Sequence, residues 1–112
     1  MALVSMLLPE GILDYFYITE VKATKEGFSI YLEEKNVPPV EYKAELLHSK
    51  GFYPEVRVQD FPIRGRKAYL HVKRRRWEVV SSGQAVARDW TVVQSGTRMT
   101  KEFAAFLKGI LG

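Results

Sequence analysis

Between Lys67 and Lys73 the chain alternates polar and apolar side chains without interruption. Ala68, Leu70 and Val72 fall on one parity, and Lys67, Tyr69, His71 and Lys73 on the other. Successive side chains of a strand point to opposite faces, so this segment reads as a half-buried strand with an apolar face on a core and a basic, aromatic face in solvent. At unbroken parity the outer face also takes in Arg75 and Trp77, while Arg74 and Arg76 leave on the apolar side. Its neighbours supply partners. PEVRVQDF places Val56 and Val58 on one face and Arg57 and Gln59 on the other, FPIRGR forms a turn, and QAVARDWTVV follows a Ser81-Ser82-Gly83 turn. The expectation is a three-stranded antiparallel meander.

The first half of the chain points the same way. Leu8, Ile12 and Phe16 recur every four residues behind Pro9, which predicts a short helix from Pro9 to Tyr17. YITEVKAT and GFSIYLEE flank a Lys25-Glu26-Gly27 turn, and Phe28, Ile30 and Leu32 alternate, which predicts a hairpin with Glu33 and Glu34 at a solvated strand end. Pro38-Pro39 open an irregular connection that runs to about Gly51. At the other end, Thr100 is a candidate N-cap, and Phe103, Phe106, Leu107 and Ile110 stand at helical spacing. The predicted class is α+β: antiparallel hairpins with a short N-terminal and a C-terminal helix, in one domain spanning residues 1–112.

Charge is divided unevenly along this fold. Up to Glu55 there are 5 Lys/Arg against 9 Asp/Glu, and beyond it 12 against 4, so a net −4 precedes a net +8. A concentrated positive patch attracts phosphate over distances that a mixed surface does not. The chain has no cysteine, which removes disulfides, thiol nucleophiles and thiolate zinc sites, and His48 and His71 have no second ligand at metal spacing. No cofactor or metal is expected. MALVSMLL is too short to span a bilayer and lacks the basic start of a signal peptide, so the expected location is cytoplasmic, with no membrane partner.

The segment Arg64–Trp77 concentrates the chemistry. Arg64, Arg66, Lys67, Lys73, Arg74, Arg75 and Arg76 lie close together, with Tyr69, His71 and Trp77 interleaved. Arginine can grip phosphate or guanine in bidentate fashion, and the rings can stack or pack on sugars, so all ten are candidate DNA-binding residues. The competing reading of Tyr69 and Trp77 is cross-strand packing on each other or on Trp90. Asp60 and Asp89 would serve a metal-dependent phosphoryl transfer only if they converged. Pairing with Arg57 or Arg88 is the simpler expectation, and no nucleophile elbow or phosphate loop is present. The chain is therefore expected not to be an enzyme. The alternative to DNA binding is a protein–protein or self-association module, a homodimer included, that uses the apolar N-terminal tail and an exposed Phe103, Phe106 and Ile110 stripe on the C-terminal helix.

VQDFPIRGRKAYLHVKRRRW, followed by ARDW and RMTKEFAAFLK, resembles the N-terminal region of insertion-sequence transposases of a type found in Bacteroidetes. ILDYFYITEV, IYLEEKN and SKGFYPEVRVQDF extend the resemblance from about Ile12 to Leu107. It is also similar to the strand pair of transposase zinc-ribbon modules. This chain lacks their cysteines, so the metal does not carry over. The resemblance implies a module that recognises the double-stranded terminal DNA of a mobile element and does no chemistry itself. By position it makes Arg64, Arg66, Lys67, Lys73, Arg74, Arg75 and Arg76 DNA contacts.

Overall fold

The computed structural model describes residues 8, 11–63, 65–90 and 101–111, with only the backbone described at residues 60, 61, 63, 101–104 and 111. The class is α+β, with seven strands in two sheets among the described residues. The helical turn α1 (Ile12–Tyr15) leads into β1 (Phe16–Ala23) and β2 (Gly27–Glu34), an antiparallel hairpin with a bulge between Ile18 and Glu20. A 3-10 turn (Val40–Tyr42) precedes β3 (Leu47–Phe52), and β4 (Val56–Ile63) and β5 (Arg66–Lys73) form a second antiparallel hairpin. Then come β6 (Arg75–Val79), β7 (Ala85–Val86) and the C-terminal helix α2 (Lys101–Leu111). Among the described residues no helix is long and apolar enough to cross a membrane.

The first sheet has the order β1-β2-β5-β4 and the second β3-β6-β7. Two central strands, β2 and β5, pair in parallel, Ile30 beside Leu70 and Leu32 beside Val72. Their alternating apolar residues therefore form one continuous surface. Ile30, Leu32, Ala68, Leu70 and Val72 are at most 2% exposed. Leu8, Ile12, Phe16, Trp90, Phe106, Leu107 and Ile110 complete that core, each large side chain stabilising by roughly 1.5–3 kcal/mol on burial. Phe16 stacks on Trp90 with centroids 5.5 Å apart and meets Phe106 edge-on at 5.6 Å. The helix thus covers the inner face of the sheet.

Several expectations need correction. The meander is shared between two sheets, because the predicted long strand breaks at Arg74: β5 belongs to the first sheet and β6 to the second. Buried parity switches there, from Ala68, Leu70 and Val72 to Trp77 and Val79. A one-residue offset reverses the face of every later side chain, so Trp77 points into the second core with Val79, Val86, Tyr42 and Leu47. The irregular connection before Gly51 in fact contains β3, whose pairing with β6 no local pattern announces. Glu34 ends its strand buried at 1% exposure, not solvated. The helix expected over Pro9–Tyr17 is a single turn from Ile12, with Phe16 already extended. Phe106 and Ile110 face the core, which removes them from an exposed stripe. Thr100, and the side chain of Phe103, lie outside the described residues.

Candidate nucleic-acid interface

With α2 and α1 on its inner side, the four-stranded sheet presents its other face outward. Parallel register sets Ser29 beside Tyr69, Tyr31 beside His71 and Glu33 beside Lys73. On the far side of β5, Gln59 lies beside Tyr69 and Arg57 beside His71. On β1, Glu20 faces Tyr31 and Lys22 faces Ser29. The result is a row of rings with cations resting on them. Tyr31 and His71 stack at 4.3 Å, the Lys22 ammonium lies 5.3 Å from the Tyr31 centroid, and the Arg57 guanidinium lies 4.7 Å from that of Tyr69. Cation–π contact holds a charged head near the sheet at a cost of only about 0.5–1 kcal/mol to displace, so these cations remain available to an anion. His71 is fixed in turn, with Nε2 3.1 Å from Ser29 Oγ and Nδ1 3.3 Å from Glu55 Oε2.

The basic segment does not form a single patch. Lys67 is exposed at one end of β5 and Lys73 half-buried at the other. Arg66 donates to the Thr24 carbonyl at 2.9 Å and covers Phe28, which ties it to the β1–β2 turn. Arg74 packs over Tyr53, and its Nε is buried without a partner among the described residues. Arg75 is committed inside the protein: its backbone N–H reaches Glu34 Oε1 at 3.0 Å, its guanidinium reaches the Glu34 carbonyl and Ser49 Oγ, and it lies over Phe52. Arg76 is exposed, but on the second sheet. Trp77, at 2% exposure, is unavailable to a ligand, and Arg64 lies outside the described residues. The face therefore keeps Lys67, Tyr69, His71 and Lys73 from the expected set. It adds Arg57, Lys22 and Tyr31, which single-strand reasoning did not assemble. Arg57 had the right parity in the sequence, whereas Tyr31 needed the non-local β2–β5 pairing.

Acidic residues divide this surface. A groove of 320 Å³ is lined by Thr19, Glu20, Tyr31, Leu32, Glu33, Glu55 and Lys73. Three carboxylates there repel phosphate, so an anion is favoured at the opposite end, near Lys67, Arg57 and Lys22. Behind the sheet, burial pushes the Glu34 carboxyl above its usual range, against the pull of the Arg75 N–H and the Arg88 guanidinium. Asp60 lies on β4 opposite Ala68, in the first sheet, whereas Asp89 follows β7 of the second and its backbone N–H is held by Glu41 at 2.6 Å. Among the described residues no three His, Asp or Glu side chains gather as a metal site requires.

Comparison of the chain with protein-family models, curated proteins and solved structures gives no match.

Proposed function

We propose that this chain is a non-catalytic module that binds double-stranded DNA on the outer face of its four-stranded sheet, by contacts to the phosphate backbone. The observation that carries the reading is the Arg57 guanidinium held 4.7 Å over Tyr69 beside exposed Lys67, on a face that no described element covers. Lys22 extends the positive charge, and Tyr69 and Gln59 offer polar groups between them. Such contacts fix position on a duplex and are largely indifferent to sequence. The resemblance to transposase N-terminal regions supplies the finer reading, recognition of a mobile element's terminal DNA by a cytoplasmic protein.

A fluorescence-anisotropy titration of the full chain against a labelled duplex, repeated at several salt concentrations, tests the proposal. Neutralising about five phosphates gives a slope of log affinity against log salt of roughly −4 to −5. Absence of binding to any duplex at low salt removes the reading.

A further inference from the structure

The first sheet has two edges, and they differ. At one edge β4 carries Pro62 and a register break between Asp60 and Ile63, and α2 packs on it so closely that a Cβ on Gly109 would lie 2.7 Å from Val58 Cγ1. Proline and irregularity are common protections of an exposed edge. At the other edge β1 shares the irregularity, with its bulge between Ile18 and Glu20, but has neither proline nor any pairing partner beyond β2 among the described residues. Thr24 and Gly27 exchange both backbone hydrogen bonds, at 2.7 and 3.3 Å. In an antiparallel ladder such pairs alternate, so Lys22 and Glu20 bond inward to Ser29 and Tyr31, and the N–H and C=O of Val21 and Ala23 point away from β2.

We propose that this edge is a homodimer interface, in which β1 pairs antiparallel with β1 of a second copy about a two-fold axis through Val21. The charge pattern selects the register. Centred on Val21, the outward groups of the two Val21 residues exchange hydrogen bonds, and Glu20 faces Lys22 of the second copy. Centred on Glu20 or Lys22, like charges stand opposite one another, which destabilises a cross-strand pair. A centre at Thr19 falls on the bulge, and one at Ala23 runs into the turn. Glu20 and Lys22 already approach within 3.7 Å in one chain, so the two copies place four charges of alternating sign around the axis. Val21, half-buried against the core, is sealed by its own copy. A two-fold of this kind joins the sheets into eight strands and keeps both outer faces on the same side.

Sedimentation velocity of the full chain tests the inference, with a monomer–dimer equilibrium expected between roughly 1 and 100 μM. Glu20→Lys sets Lys against Lys22 twice across the axis and is expected to weaken dimerisation about tenfold or more, while the exchanged double variant Glu20→Lys/Lys22→Glu restores it to within about threefold. Val21→Pro removes an outward N–H and no bond to β2, so a monomer with unchanged circular dichroism is expected. If Val21→Pro fails to fold, the charge series stands without it. A wild-type monomer at 100 μM, a dimer indifferent to Glu20→Lys, or a dimeric, folded Val21→Pro overturns the proposal.

Discussion

Oε2 of Glu34 accepts a hydrogen bond from Nε of Arg88 at 3.1 Å, across 54 positions of sequence, with the two side chains 1% and 7% exposed. This contact joins the end of β2, in the first sheet, to the segment that follows β7, in the second. Glu34 Oε1 also takes the Arg75 N–H at the point where the chain passes between sheets, and Arg88 reaches the Val37 carbonyl at 2.7 Å while its guanidinium lies over Tyr15 and Trp90. Burying such a pair costs desolvation that its attraction only partly offsets, whereas removing one partner leaves the other charge stranded.

Arg88→Met is therefore expected to lower stability by about 3–5 kcal/mol at neutral pH. The pH dependence has a definite sign. The folded-state value of Glu34 lies above 4.5, so between the two values the folded chain binds more protons than the unfolded one, and stability falls as pH rises through that window. Loss of the Arg88 guanidinium raises the folded value further and widens the window upward. Urea denaturation at pH 5 and at pH 7.5 should show the variant much closer to wild type at the lower pH. Equal deficits at both would contradict this account.

Gly27 opens β2 with φ +155°, and a Cβ built there collides with the Lys67 carbonyl of the parallel partner β5. Only glycine permits this approach. Gly27→Ala must spread the two strands where the outer face and the core both depend on their register, and a loss of about 2 kcal/mol or more is expected in thermal or chemical denaturation. A variant as stable as wild type would show that the strands part there without cost.

What the sequence disclosed were features carried by local period. Alternation at Ala68, Leu70 and Val72 marked a buried face, and helical spacing at Phe106, Leu107 and Ile110 marked the C-terminal helix, because each pattern reports one element's exposure to a core. Features set by pairing at a distance stayed hidden. The parity switch at Arg74 depends on β6 joining β3, so Trp77 read as an outer residue. The parallel pairing of β2 with β5 joins residues 40 positions apart in the chain, so nothing near Tyr31 tells of His71. Glu34 looked solvated beside Glu33 and Lys35 because its partners, Arg75 and Arg88, come from elsewhere. Of the candidate site, the strand was legible and the face was not.

Arg75 illustrates the consequence. Its guanidinium satisfies the Glu34 carbonyl and Ser49 Oγ, so Arg75→Ala strands part-buried acceptors and is expected to cost about 1–2 kcal/mol of stability. Measured by denaturation, a change within about 0.5 kcal/mol would mean those bonds are replaced by water.

The same commitment decides the last expectation, which concerns how the basic residues divide between structure and DNA. A side chain that neutralises a phosphate releases counterion on binding, so its removal weakens affinity and makes the salt slope shallower by about one. Lys67→Ala and Arg57→Ala, each on the outer face and away from the acidic groove, are expected to do this. Arg75→Ala, measured where the variant is fully folded, is expected to leave the slope unchanged, because its charge already lies against Glu34 and Phe52. Lys108, exposed on the helix behind the sheet, is the charge control: Lys108→Ala removes one positive charge while leaving the outer face intact. Anisotropy titrations of the four variants at three or more salt concentrations separate the cases. A slope that shifts equally in all four reports net charge alone, and one that shifts only for Arg75→Ala would move the interface to the junction between the sheets.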